Sequence, residues 1–174
     1  MAKVKKIIKT DKQDKTDKIR IRFARKSELE EVNAIRKQVH KLHAEGRPDI
    51  FRKKFGKKLA AHIYEFFGEE LSRVVVARKD GIICGFASIE VIRKPRSPYN
   101  KARTYLRVTE FGVDREHKRQ GIGRALMEFI KKYAAEKGFD TIELDVWEFN
   151  RVAQLFYEDM GFRPCRIFME YKIK

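Results

Sequence analysis

The chain of 174 residues has only two cysteines, four prolines and one tryptophan. Two thiols with no second pair make no disulfide framework, which excludes the small stapled scaffolds of secreted proteins. Cys84 and Cys165 lie in the apolar surroundings "GIICGFA" and "RPCRIFM", and are expected to be reduced thiols in or near the core. No apolar run reaches the roughly 18 residues that a membrane-spanning helix requires, and the first residues lack the apolar stretch of a secretory leader. The expectation is a soluble, cytoplasmic protein. Neither His40 with His43 nor Cys84 with any histidine has the spacing of a metal site, so no metal is expected. No internal repeat is present.

Basic charge is abundant. The formal net charge is +16, and the first 26 residues hold eleven Lys or Arg against three Asp, half of that total. Apart from "VKKII", the residues before Ile19 are almost without apolar side chains. Residues 1–18 are therefore expected to form a basic, flexible arm. Residues 19–174 are expected to form one domain, a length that supports a single core.

Ile19 to Ala24 alternates apolar and basic residues, which predicts a strand with one buried face. Ser27 followed by Glu30 has the form of a capping box. Leu29, Val32, Ile35, Val39 and Leu42 then continue at helical spacing to an end near Gly46 and Pro48. Phe51, Phe55, Leu59, Ile63, Phe67 and Leu71 recur every four residues and predict a second helix, with Gly56 marking a late start or a break. Two β-branched runs meeting at Asp80-Gly81 predict a hairpin closed by a tight turn, and "PRSPYNKART" is a loop. Tyr105 to Val113 predicts a further strand, in which Gly112 signals a bulge or a close backbone approach. A helix is expected from about Gly121 to Lys137, stopped by Gly138. It is followed by a strand in "TIELDVW", a helix in "NRVAQLFYEDMGF" with Gly161 past its end, and a last strand in "CRIFMEYKIK".

The stretch "KRQGIG", Lys118 to Gly123, opens the third helix with two glycines one residue apart. Each glycine costs a helix about 1 kcal/mol against alanine, so the bare backbone has a use. The first turn of a helix leaves its N–H groups unpaired and partly positive. Glycines let an anion approach those donors, and Lys118, Arg119 and Arg124 add charge. The pattern describes a phosphate or pyrophosphate cradle; its bland alternative is close packing of the helix start on the sheet. The third glycine of a dinucleotide fingerprint and the Gly-Lys-Ser/Thr of a P-loop are both missing.

A second constellation starts at Asn150. Together, "KRQGIG" and then Asn150, Ala153, Phe156, Tyr157, Gly161 and Phe162 resemble the two signatures of the GNAT superfamily of acyl-CoA-dependent N-acetyltransferases. The first resembles Arg/Gln-x-x-Gly-x-Gly/Ala and the second Asn-x-x-Ala-x-x-Phe-Tyr-x-x-x-Gly-Phe. Lys118 stands where arginine or glutamine is usual. It keeps the charge and loses the planar fork. The resemblance covers the chain from about Ile19 onward. It implies an α/β fold: a mixed, mostly antiparallel sheet of about six or seven strands, splayed between the fourth and fifth, with about four flanking helices.

The resemblance also implies chemistry: acetyl transfer from acetyl-CoA to a primary amine by direct attack in a ternary complex. Backbone N–H groups of Arg119, Gln120, Gly121, Ile122, Gly123 and Arg124, with Lys118 beside them, would hold the CoA pyrophosphate. Phe111, Gly112 and Val113 would pair with the pantetheine arm. Asn150 would bond the cofactor or cap its helix, and Phe156 would pack or line the arm. Tyr157 would protonate the departing thiolate, or serve as a core aromatic. Glu110 would be the base, or would order water or pair with a nearby arginine. The acceptor is a small amine or a peptide or protein amine, with Tyr99, His40, His43, Asp49 and Phe51 as candidate pocket residues. Members of the family often pair, so a homodimer is admitted; no membrane association is expected. Two rival readings remain: a nucleic-acid- or ribosome-binding module, motivated by the charge but without a recognised motif, and a non-catalytic acyl-CoA sensor.

Overall fold

Residues 19–173 are described by a computed structural model; the basic arm expected over residues 1–18 lies outside the described residues. In chain order the elements are β1 (Arg20–Phe23), a short 3-10 turn (Lys26–Glu28), α1 (Leu29–Gly46), α2 (Lys57–Gly68), β2 (Ser72–Lys79), β3 (Ile82–Lys94), β4 (Arg103–Val113), a second 3-10 turn (Arg115–His117), α3 (Ile122–Glu136), β5 (Ile142–Leu144) and α4 (Arg151–Asp159). The strands form one sheet in the order β1-β2-β3-β4-β5. All neighbours are antiparallel except β4 and β5, which run parallel.

Alternation along β2 divides the core in two. Val74 and Val76 pack with Leu29, Val32, Ile35, Ile63 and Phe66 of α1 and α2. Val75 and Ala77 pack on the opposite face with Ile122, Leu126, Met127 and Ile130 of α3. The sheet is thus covered on both sides, which is why β2 reads as a continuous apolar run. The turn at Asp80-Gly81 has positive φ at both residues, +51° and +81°, as a tight hairpin turn requires.

Several expectations are corrected. The sheet has five strands among the described residues, not six or seven. The missing members come from its far edge, where β5 is three residues long and residues 162–173 adopt no strand. Cys165 in that segment is exposed while Cys84 is buried. The four-residue spacing that starts at Phe51 does not begin a helix there, because Gly56 takes the N-cap position and α2 starts at Lys57. Phe51 and Phe55 belong to the preceding loop.

The entry to α1 is organised by Glu28, not by a Ser27 and Glu30 box. Buried Glu28 accepts the backbone N–H of Arg25 at 2.8 Å, the Arg22 guanidinium at 2.6 and 2.8 Å, and Arg78 at 2.7 Å. It therefore ties β1 and β2 to the helix start. The hydrogen bonds from Arg22, helped by those from Arg25 N–H and Arg78, outweigh burial and hold its carboxyl at about 2, against an ordinary 4.5. A carboxyl lowered in the folded state stabilises the fold fully above its unfolded value and loses that contribution as pH falls through the folded one. Glu28→Gln is expected to cost about 2–4 kcal/mol at pH 7, and the deficit should shrink as pH falls from 4.5 towards 2. Urea midpoints measured across that window check it; a deficit unchanged by pH would refute the assignment.

Candidate active site

The site is built around one extra residue in β4. Val108 pairs with Ile89 and Glu110 pairs with Ser88, so Thr109 is the additional residue of a bulge. Its hydroxyl donates to the Ser88 carbonyl at 3.3 Å. A bulge exchanges the faces on which later side chains lie. Leu106 and Val108 before it, and Phe111 and Val113 after it, all pack on the α3 side. Glu110 and Gly112 are thereby turned to the α1 side.

The expected bulge at Gly112 is therefore three residues earlier. Gly112 pairs regularly with Phe86 and serves the other expectation, a close approach. A Cβ there would stand 2.8 Å from Val39 and 2.9 Å from Phe86, so α1 sits directly on this backbone. Beyond the bulge β4 also loses its other neighbour. Pairing with β5 ends at Val108 and Leu144, which leaves the edge of β4 from Thr109 to Val113 with no strand on that side among the described residues. The notch is of a kind that an extended amide chain fills by hydrogen bonding as an added strand would.

At the end of β4 the chain turns into α3 through two left-handed residues, Arg119 at φ +59° and Gly121 at φ +80°. Gly121 is the N-cap, and the first bond back to it comes from Ala125 N–H at 2.9 Å. The N–H groups of Ile122, Gly123 and Arg124 therefore have no acceptor within the helix. Alternating hand along the turn makes a concave set of donors, and the dipole of α3 adds positive potential. Lys118, Arg119, Gln120, Gly121 and Arg124 are exposed around it. The Gln120 side chain donates to the Glu116 carbonyl at 3.2 Å and accepts from Lys79 at 3.1 Å, while Arg124 pairs with Asp159. Sequence reasoning missed Gln38, which holds this loop to α1 by donating to Asp114 at 2.7 Å and accepting from Arg115 N–H at 3.0 Å. His117 bonds Asp114 at 2.9 Å, a loop-fixing contact.

The helix α4 closes the notch from the α3 side. Asn150 caps it, accepting the N–H of Ala153 at 3.2 Å. Phe111 on β4 meets Phe156 at 5.6 Å and Tyr157 at 6.2 Å between ring centroids, and Tyr157 meets Phe162 at 5.9 Å. A Cβ on Gly123 would touch the Phe156 ring at 3.4 Å and Val113 at 3.7 Å. The cradle and the aromatic patch are thus continuous. Burial among these rings pushes the Tyr157 phenol up to about 12.

Across the sheet, Glu110 meets Arg36 on α1. Its two carboxylate oxygens accept from Arg36 at 2.6 and 2.7 Å. The guanidinium, buried, also donates to Asn33 at 2.8 Å and to the Leu59 carbonyl at 2.9 Å. Of the two readings of Glu110, pairing with an arginine is the contact seen. Arg36 gave no sequence signal beyond a charge on the inner stripe of a helix. The buried hydroxyl of Ser88, cross-strand from Glu110, has no hydrogen-bond partner among the described residues.

Of the candidate acceptor residues, His40, His43 and Phe51 come together and Tyr99 does not. Tyr99 lies in the β3 to β4 loop, 94% exposed. His43 packs on Phe51 and Phe149, and His40 on Phe51 and Phe55. Burial, and next His40, push the His43 imidazole below the ordinary 6.5, against an opposing pull from Glu110. Asp49 is held by Arg47 at 2.8 and 2.9 Å. Among the described residues no cluster has the makings of a metal site, and no helix is long and apolar enough to cross a membrane.

Comparison with known proteins fits this geometry. The acetyltransferase (GNAT) family model matches residues 36–162. Over 93 residues the chain is 30% identical to the ribosomal protein bS18-alanine N-acetyltransferase of Escherichia coli K12, covering 53% of this chain and 56% of that protein. Over 51 residues it is 37% identical to human N-acetyltransferase 8, covering 29% of this chain and 22% of that protein. The match thus spans about half or less of these curated relatives. Among solved structures, a tetramutant of the BH1408 protein from Bacillus halodurans aligns with TM-score 0.83 at 30% identity, over 88% of this chain and 99% of that one. An aminoglycoside N-acetyltransferase in complex with CoA shares the fold, with TM-score 0.70 at 19% identity over 91% and 97% of the two chains.

The two glycines of the cradle differ in what they do for the fold, and the difference is measurable. Gly121 needs its left-handed backbone, so Gly121→Ala should cost about 1–2 kcal/mol. Gly123 is helical with room for a methyl group at contact distance, so Gly123→Ala should be neutral or stabilising by up to about 1 kcal/mol. Thermal melts of the two variants test this; equal losses would contradict the assignment.

Proposed function

The chain belongs to the acetyltransferase (GNAT) family, and on that premise we propose that it transfers an acetyl group from acetyl-CoA to a primary amine by direct attack in a ternary complex. The observation that carries the reading is the notch beside β4. It begins at the donor-rich turn before α3, runs past Phe111 and Phe156, and ends between Tyr157 on one side of the sheet and Glu110 on the other. A pyrophosphate fits the turn, a chain of amides fits the open strand edge, and the thioester then falls at the bulge.

In this reading the backbone N–H groups of residues 119–124 bind the pyrophosphate, and the edge of β4 at Phe111 and Val113 takes the pantetheine amides. Asn150 orders the start of α4 so that Tyr157 is held at the sulfur. The neutral amine attacks the acetyl carbonyl; its C–N bond forms as the C–S bond breaks. A primary amine is mostly protonated at neutral pH, so a proton must first leave. Glu110, oriented by Arg36, receives that proton through solvent, with the Ser88 hydroxyl as a further partner for the bridging water. The Tyr157 phenol donates to the sulfur as negative charge develops there. Its raised pKa keeps it in the protonated, donating form across the physiological range.

His43 offers a second reading of the base. It is half-buried, within the field of Glu110, and held neutral near pH 7, so its ring can accept a proton directly. An acidic limb in kcat/KM below 6.5 that disappears in His43→Phe would assign the base to it. Persistence of the wild-type profile would leave the role with Glu110.

Tyr157→Phe is expected to lower kcat about a hundredfold or more while leaving acetyl-CoA affinity nearly unchanged. Gly123→Ala, with its fold intact, should weaken acetyl-CoA binding with little change in kcat. Calorimetric binding and CoA thiol release measure the two effects. Unchanged turnover in Tyr157→Phe would remove it as the acid. Tight acetyl-CoA binding with no turnover of any amine or peptide would leave a sensor, and a thermal shift with RNA but not acetyl-CoA would leave a nucleic-acid-binding module.

A further inference from the structure

We propose that a second copy of this chain covers residues 165–173, the two copies exchanging these segments so that each adds a strand to the open edge of the other's β5. The inference does not depend on the acetyl-transfer reading and starts from an apolar stretch that nothing covers in a single chain. Ile167, Phe168, Met169, Tyr171 and Ile173 are 79–92% exposed. Single apolar side chains are ordinary on a protein surface, but a contiguous set of five within seven residues marks a place that another surface covers. As a strand, the segment carries Ile167, Met169, Tyr171 and Ile173 on one face and Phe168, Glu170 and Lys172 on the other. Among the described residues no backbone hydrogen bond joins residues 163–173 to any strand.

The sheet has an open edge to match. β5 is last in the strand order and bonds only to β4. Arg47, just past α1, fixes where the segment lies: it stands over Trp147, three residues beyond β5, at 5.4 Å, and donates to Glu170 at 3.0 Å. Lys172 lies 3.8 Å from Asp49. The chain thus runs out along β5, back through α4, and out again along residues 163–173, with both outward legs ending beside Arg47. The segment therefore runs in the direction of β5, its polar side held by Arg47 and Asp49, without forming a ladder on its own β5. A two-fold axis across the segment sets a second copy's segment antiparallel to it, and so antiparallel to β5, the more stable of the two ways to pair.

Reciprocity, area and charge select a second copy as the occupant. One chain supplies both an apolar strand without an edge and an edge without a strand, and a two-fold exchange satisfies both at once. The five exposed side chains present on the order of 800 Å² per chain, which is what each partner buries in a standard stable interface. Val152 and Leu155 are also exposed on α4, the helix that leads into the segment, and add to that apolar surface. Each chain has a net charge of +16, so two copies repel wherever their cations meet. The row of Ile167, Met169, Tyr171 and Ile173 carries no charge, and two copies can close on it.

Light scattering on the full chain as it elutes from a sizing column is expected to give twice the chain mass of 20.6 kDa. Met169→Glu places a charge in the apolar row and should elute as a monomer with unchanged circular dichroism, because Met169 is exposed in the single chain. Tyr171→Glu repeats the test at a second position of the same face. Ile82→Glu, at an exposed apolar side chain of the β2–β3 turn, should leave the dimer intact. Hydrogen exchange read by mass spectrometry should show amides of residues 165–173 and 142–144 slowed at least about tenfold in the wild type relative to Met169→Glu. A monomeric wild type overturns the inference, as does a dimer that both segment variants leave intact or that Ile82→Glu disrupts equally. A dimer that slows residues 165–173 but not 142–144 overturns the exchange onto β5.

Discussion

Along β4 the core-facing residues are Leu106 and Val108, then Phe111 and Val113, and the change of parity between them is Thr109. A continuous strand would place Glu110 on the face of Leu106 and Val108, under α3, where a carboxylate has no partner. With the bulge, Glu110 turns to α1 and meets Arg36, and Gly112 presents bare backbone to Val39. The same extra residue falls where pairing to β5 stops, so one irregularity aims the carboxylate, seats α1 and opens the strand edge. An insertion of this kind is costly in an ordinary sheet, since it breaks ladder bonds and one slip inverts every later side chain. Here the inversion is what separates the two chemical groups: Tyr157 reaches the notch from the α4 face and Glu110 from the α1 face.

The surrounding contacts hold that geometry from both ends. Gln38 joins α1 to the turn before α3 through Asp114 and Arg115, two residues along the helix from Arg36. The buried guanidinium of Arg36 is satisfied by Asn33 and the Leu59 carbonyl as well as by Glu110. An arginine so deeply placed would be a liability without those acceptors, since a buried charge is tolerated only when paired and hydrogen-bonded. Helix α1 thus contacts the bulge through Arg36, the loop before α3 through Gln38, and Phe51 and Phe149 through His43, and a shift of its axis would disturb all three.

Local signals in the sequence were reliable where a few neighbouring residues decide the backbone. Asp80-Gly81, Gly121 before α3, Asn150 before α4 and the glycines that follow helices are all of this kind, and each sits where expected. Errors arose where a distant partner decides. The bulge was expected at Gly112 because glycine is its usual marker, yet Thr109 carries it, since register is set by what faces each strand. Phe51 continued the four-residue stripe of α2 across Gly56, but its ring is used by Trp147 and His43 in the loop. Ser27 and Glu30 had the local form of a cap, while Glu28 won the role through Arg22 and Arg78, which only the fold brings near. Residues 165–173 alternate as a strand does, and alternation alone cannot supply the neighbour that makes one. The site was legible to the extent that it is backbone and signature. The contacts of Arg36, of Gln38 and of Phe51 with Trp147 are long-range, and no motif marks them.

The Tyr157 phenol does not have the proton affinity that simple acid-base matching would choose. A phenol near 12 is a weaker acid than a thiol, whose ordinary value is about 8.5, so full transfer to a solvated thiolate would be uphill by roughly 5 kcal/mol. On the other face, both oxygens of the Glu110 carboxylate are engaged by Arg36. The arrangement is better suited to positioning. In the proposed reaction Tyr157 donates a hydrogen bond while negative charge is still developing on sulfur, in surroundings whose dryness would raise the proton affinity of the sulfur as it raises that of the phenol. Proton transfer then approaches balance only as the C–S bond breaks. In the proposed reaction Glu110 works from the other face, ordering water about the incoming amine and receiving its proton through that water. The sheet stands between the two, and the bulge at Thr109 is the narrowest structural change that places one on each side.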